Sequence, residues 1–90
     1  MASVILYGRD DCEYSNVAKQ LLFDHGIYFD EIDIDHQYGK REEMIRRSGG
    51  RFTTPQIFID GLHVGGADDL RRLADQGRLD ALVKPMLADG

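Results

Sequence analysis

Two hydrophobic periods take turns along this 90-residue chain, and the switches between them mark eight elements. Residues 3–7 hold a continuous apolar run, Val4-Ile5-Leu6-Tyr7, which predicts a buried strand. From Glu13 the spacing becomes helical. Val17 with Leu21 and Ala18 with Leu22 form an i,i+4 stripe, predicting a helix over 13–25 that Gly26 ends. Over 28–34 the alternation returns, with Ile32 and Ile34 set against Glu31 and Asp33, so a second strand is expected. Residues 39–48 read as a helix stopped by Gly49-Gly50.

Gln56-Ile57-Phe58-Ile59 and Leu62-His63-Val64 flank Asp60-Gly61, a strong signal for a two-residue hairpin. Gly65-Gly66 then lead into a helix over 67–76 with Leu70, Leu73 and Ala74 inward and Gly77 at its end. A final helix is expected over 79–88, kinked or frayed by Pro85. The order β-α-β-α-β-β-α-α starts with a strand–helix–strand unit, which implies parallel pairing through a right-handed crossover. The hairpin adds two antiparallel strands. The expected architecture is one α/β domain over 1–90, a four-stranded mixed sheet with helices on both faces.

Composition narrows the partners. The net charge of −5 argues against a nucleic-acid surface. No apolar run approaches the roughly 20 residues that span a bilayer, and the N-terminus lacks a leader pattern, so neither membrane insertion nor secretion is expected. A single cysteine excludes an internal disulfide and suits a reducing compartment, with the cytoplasm as the expectation. Arg41, Arg46, Arg47 and Arg51 cluster locally. Glu42/Arg46 and Glu43/Arg47 are spaced as i,i+4 pairs, which reads as a solvated helix face, although single arginines of the group could reach an acidic small molecule.

The candidate chemistry centres on that one cysteine. Cys12 falls where the first strand gives way to the first helix, and the free N–H groups of a helix start stabilise a thiolate. Its neighbours Asp10, Asp11, Glu13 and Ser15 are not a core sequence, which favours a reactive thiol over a small buried hydrophobe. The carboxylates oppose ionisation; the helix start, Arg9 and a hydrogen bond from Ser15 oppose them in turn. Arg9 has a second reading as a solvated charge pairing with Asp10. Ser15 has one as a helix-start serine satisfying backbone N–H groups. Thr54-Pro55 precedes the third strand, either as an ordinary trans bond or as a cis bond turning the Thr54 backbone towards the nucleophile. Gly65-Gly66-Ala67-Asp68-Asp69 opens the third helix. Its first N–H groups suit a carboxylate and Asp68 an ammonium, while Asp68 or Asp69 could equally be a cap. His25, His36 and His63 have no cysteine or carboxylate at metal-ligand spacing and read as surface or loop residues; Met44 and Met86 read as core filler.

Four segments in order carry a resemblance that spans nearly the whole chain: Cys12-Glu13-Tyr14-Ser15, Lys40-Arg41-Glu42-Glu43-Met44-Ile45, Thr54-Pro55-Gln56-Ile57-Phe58-Ile59, and Gly65-Gly66-Ala67-Asp68-Asp69-Leu70. Together they resemble the glutaredoxins, and the bacterial dithiol branch (Cys-Pro-Tyr-Cys) more than the monothiol Cys-Gly-Phe-Ser branch. The resemblance implies a thioredoxin fold, a cis peptide before Pro55, and a glutathione groove beside a catalytic Cys12. By position, Thr54 would pair its backbone with the cysteinyl part of glutathione. The Gly66-Ala67-Asp68 helix start would hold the γ-glutamyl end. Arg9 and Arg41 would face the glycine carboxylate, and Tyr14 would flank the sulfur. Arg51 fits less well, because Gly49-Gly50 inserts a residue just before it.

Three departures matter. Glu13 replaces the usual proline, Ser15 the usual second cysteine, and Ala67 a cysteine that many relatives carry. The implied activity is therefore monothiol removal of glutathione from glutathionylated proteins or small disulfides by a monomer. One alternative is a dimer holding a two-iron–two-sulfur cluster through two Cys12 thiolates and two glutathiones. Another is glutathione binding without catalysis, should Glu13 raise the thiol pKa.

Overall fold

In the computed structural model, residues 3–83 are described, so the expected kink at Pro85, the core role of Met86 and the helix beyond Val83 lie outside the described residues. The elements follow the anticipated order: β1 (Val4–Gly8), α1 (Glu13–Asp24), β2 (Asp30–Asp33), α2 (Lys40–Arg47), β3 (Gln56–Ile59), β4 (Leu62–Gly65), α3 (Ala67–Asp75) and α4 (Leu79–Val83). The strands lie side by side as β2-β1-β3-β4; β1 and β2 are parallel, and the other two pairings are antiparallel. Asp60 (φ 50°) and Gly61 (φ 82°) turn the hairpin with both φ positive, the geometry that matches the twist of paired strands.

Pleating divides the sheet into two cores. Val4, Leu6, Ile57 and Ile59 face α1, α3 and α4, burying Ala18, Leu22, Leu70, Leu79 and Val83. Tyr7 and Phe58 face the other way, towards α2, with Ile34 and a fully buried Met44. β2 is shorter than its alternation predicts. Ile27 N–H is spent on the Leu22 carbonyl at the end of α1, and pairing with β1 begins only at Asp30.

Arg41, Arg46, Arg47 and Arg51 are all exposed, as expected, but their pairing differs. Neither Glu42/Arg46 nor Glu43/Arg47 forms an ion pair among the described residues. Glu43 instead meets Lys40 at 3.1 Å and accepts from Tyr7 Oη at 2.5 Å. Arg47 donates to Tyr7 Oη at 2.6 Å and lies over the Phe58 ring, 4.6 Å from its centroid. An aromatic face and a buried phenol outcompete a water-screened neighbour on the same helix.

Candidate active site

The end of β1 and the start of α1 meet without a gap. A methyl on Gly8 would stand 2.9 Å from Leu6 Cδ2 and 3.1 Å from Ser15 Oγ, and Ser15 is fully buried. Ser15 Oγ accepts the Arg9 N–H at 3.4 Å, so the helix-start role and the sulfur-facing role belong to the same hydroxyl. This contact fixes Cys12 at the carboxyl end of the sheet, where open α/β folds place ligands.

Cys12 is the N-cap of α1 (φ −96°, ψ 118°), and its neutral side chain makes no cap bond. Thr54 Oγ1 donates to Sγ at 3.1 Å, and the thiol donates to the Thr54 carbonyl at 3.6 Å. Partial burial pushes the thiol pKa up. Donors from the Ser15 and Thr54 hydroxyls and the Ser15 and Tyr14 N–H groups outweigh it, and the pKa falls below the ordinary thiol value. Asp10, Asp11 and Glu13 are exposed, where water screens their opposition.

A cleft of about 430 Å³ opens beside Thr54, whose hydroxyl donates to the sulfur; Cys12 itself is not among its lining residues. Six anticipated residues line it: Tyr14, Thr54, Pro55, Gly66, Ala67 and Asp68. The Thr54–Pro55 bond is cis. Arg51 lines it too, together with Asp69, expected as a possible helix cap, and with Thr53 and Arg72, which sequence reasoning missed. Helical spacing offered a signal for Arg72: it stands four residues after Asp68, on the same helix face. Arg9 and Arg41 are not among the lining residues. Arg9 is engaged by Asp35 at 2.9 Å and Asp11 at 3.7 Å, so the pairing expected with Asp10 is corrected to these two acids. Arg41 is exposed on α2.

The far wall of the cleft depends on an irregularity in β4. His63 pairs with Phe58 and Gly65 with Ile57, so Val64 is an extra residue that bends the strand. Gly65 has φ 121°, and a Cβ there would fall 2.2 Å from Asp69 Oδ2. Asp69 Oδ2 accepts the Gly66 N–H at 2.9 Å, and Oδ1 meets Arg72 at 3.2 Å. The Gly66 N–H above all holds the Asp69 carboxyl below its usual pKa. Asp69 is thus the cap, and Asp68 is left exposed at the cleft. The N–H groups of Ala67 and Asp68 precede the first intrahelical bond, which runs from Leu70 N to Gly66 O.

The histidines need revision. His36 Nδ1 lies 2.6 Å from Asp33 Oδ2, and with Asp10 their ligating atoms fall within 4.8 Å of one another, so a carboxylate does stand beside this histidine. The pairing raises the His36 pKa and lowers that of Asp33, an exposed ion pair. His63 is half-buried in β4, and His25 closes α1 beside Asp80 at 3.4 Å.

The family model described as Glutaredoxin matches residues 4–64. Glutaredoxin 3 of Escherichia coli (strain K12) is 52% identical over 84 residues, covering 93% of this chain and all of the relative. The solution structure of a glutaredoxin from Brucella melitensis superimposes with a TM-score of 0.81 at 51% identity, covering 93% of this chain and 90% of that one. A buckwheat glutaredoxin–glutathione complex shares the fold at a TM-score of 0.84 and 23% identity, over 93% and 78% of the two chains.

Proposed function

The chain belongs to the glutaredoxin family of glutathione-dependent thiol–disulfide oxidoreductases, and from that premise we propose that it removes glutathione from mixed disulfides by a monothiol mechanism at Cys12. The observation that carries this reading is a lone, half-buried sulfur that accepts the Thr54 hydroxyl at 3.1 Å, with Thr54 itself lining a cleft that holds both signs of charge. The Cys12 thiolate attacks the glutathione sulfur of the mixed disulfide, the old S–S bond breaks, and the substrate leaves as a thiolate that takes up a proton. A second glutathione thiolate then attacks the glutathione sulfur held on Cys12, releasing oxidised glutathione and regenerating the Cys12 thiolate. No second cysteine exists in the chain to do this internally, and Ser15 carries a hydroxyl that forms no disulfide.

The cleft supplies groups for each end of the tripeptide. Thr54 offers its backbone beside the cis bond to the extended cysteinyl portion. The free N–H groups of Ala67 and Asp68 suit the α-carboxylate of the γ-glutamyl end, and the Asp68 carboxylate suits its ammonium. Arg51 is better placed than Arg9 or Arg41 to meet the remaining carboxylate. Tyr14 is 64% exposed and so offers a ring face to a bound ligand. The partners on this reading are glutathionylated proteins and small disulfides met by a monomer, and reliance on reduced glutathione suits the cytoplasm. An iron–sulfur cluster would draw one thiolate from each chain and every other ligand from outside it, beside the Glu13 carboxylate, whose charge opposes an anionic cluster.

Incubation with oxidised glutathione followed by mass measurement should give one glutathione adduct on the protein and none on Cys12→Ser. Turnover of a small glutathione mixed disulfide, coupled to glutathione reductase, should likewise require Cys12. An adduct without turnover would leave a glutathione-binding protein and overturn the enzymatic reading.

A further inference from the structure

β3 contains one residue that its surroundings do not explain. Gln56 opens the otherwise apolar run Gln56-Ile57-Phe58-Ile59, and it is fully buried. A buried amide is costly unless its donors and acceptor are matched, and here all are. Nε2 donates to the Thr53 carbonyl at 3.0 Å and to Thr53 Oγ1 at 3.3 Å, while Oε1 lies 2.6 Å from His63 Nε2. The Thr53 carbonyl can only accept, so the amide NH₂ must face it and Oε1 must face the imidazole. His63 therefore carries a proton on Nε2. Its ring is held by Phe58, directly across the hairpin, at 5.0 Å between centroids.

The segment this pair grips is otherwise weakly tied. Among the described residues, no loop or turn backbone bond involves 51–55. Side chains hold both ends instead: Ser48 Oγ bridges the Arg51 N–H and carbonyl at 3.1 and 2.9 Å, and Gln56 holds Thr53. Thr54, the next residue, donates to the Cys12 sulfur.

We propose that Gln56 and His63 are positioning residues for the Cys12 thiolate, a buried polar brace running from β4 through β3 to the Thr53–Thr54 segment and setting the Thr54 hydroxyl against the sulfur. Neither touches the sulfur or the cleft. A purely packing role would be met by two apolar side chains, which need no partner; the amide is required only if the segment must be held at one distance from Cys12. Burial, with the nearby Arg51 charge, lowers the His63 pKa, in keeping with a neutral ring that donates through Nε2. The inference rests on the reading of Cys12 as the reacting thiol.

The pH dependence of Cys12 alkylation by iodoacetamide reads the thiolate without any glutathione, and a thermal melt of each variant reports the fold. Gln56→Leu and His63→Leu should move the alkylation midpoint to higher pH, with KM for a small glutathione mixed disulfide rising at least threefold. His63→Gln, whose amide can donate to Gln56 Oε1, should keep both at the wild-type values. If Gln56→Leu does not fold, the two His63 variants decide. Folded leucine variants that alkylate at the wild-type midpoint, or a His63→Gln variant no better than His63→Leu, would overturn the brace. A shifted midpoint in a protein that never turns over mixed disulfides would uphold the brace and sink the deglutathionylation reading.

Discussion

The starts of α1 and α3 face the same cleft and solve opposite problems. At α1 the N-cap is Cys12 itself, whose side chain makes no cap bond, and the Tyr14 and Ser15 N–H groups help to lower the pKa of that thiol. At α3 a chain carboxylate is present, and Asp69 takes the Gly66 N–H and meets Arg72, while Ala67 and Asp68, ahead of the first intrahelical bond, line the cleft. Both first turns carry acids, Glu13 in one and Asp68 and Asp69 in the other. On the proposed function, helix-start donors serve a resident anion at α1 and a visiting one at α3. The visiting site must hold its shape while empty, and for that it relies on Gly65 and the Asp69 cap.

The largest expected effect comes from breaking that empty-site rigidity. Gly65→Ala forces a side chain into φ 121°, with its Cβ 2.2 Å from the capping oxygen. Backbone strain of ~1–3 kcal/mol and a lost cap of ~1 kcal/mol together predict a loss of roughly 2–4 kcal/mol of stability, measurable by urea denaturation. In the folded fraction, KM for glutathione should rise while the alkylation midpoint of Cys12 stays put. A midpoint that moved with KM would show that the two helix starts are coupled rather than separate.

How far the chain could be read without coordinates follows the same division. The α1 start was legible because local order places a lone cysteine between an apolar strand and an i,i+4 stripe. Much of the α3 wall was not. Val64 looks like any strand residue, and its status as the extra residue depends on which partner each neighbour meets across the hairpin. Which of Asp68 and Asp69 caps turns on a one-residue difference in where the helix begins. Gln56 could be seen as a polar residue in an apolar run, but its partner sits seven residues away beyond a turn. The partner of Arg47 was misjudged because Tyr7 and Phe58 lie far off in sequence and close in space. Periodicity reports elements; register and helix phase decide which side chains meet.

A middle-sized effect should come from the α1 side. Ser15→Ala removes a hydroxyl that faces the sulfur and accepts the Arg9 N–H, for about 1 kcal/mol of stability. The Cys12 alkylation midpoint should move to higher pH. The sign for stability follows from linkage. A folded thiol pKa below the unfolded value contributes stability that is full above the unfolded pKa and is lost as pH falls through the folded one. Ser15→Ala should shrink that alkaline contribution, so wild type and variant should differ more in melting temperature at alkaline than at acidic pH. An unchanged midpoint would mean that backbone N–H groups and Thr54 alone hold the charge.

The smallest expected effect tests whether the acid at the α1 start competes with the thiolate. Glu13 favours the helix through the dipole, worth ~0.3–1 kcal/mol at an exposed N-terminus, and disfavours a second negative charge beside it. Two unit charges about 7 Å apart in water repel by about 0.6 kcal/mol, a factor of about three in an ionisation constant. Glu13→Gln should therefore speed alkylation at pH values below the midpoint by up to about threefold while lowering the melting temperature slightly, and added salt should erase most of the rate difference. The two effects have opposite signs, so no general stabilisation of the fold can mimic them. Asp69 carries no such conflict, because its negative charge is the cap itself. A Glu13→Gln variant with unchanged thiol reactivity at low salt would show that water already isolates the two charges, leaving the α1 donors and Thr54 to set the sulfur's ionisation.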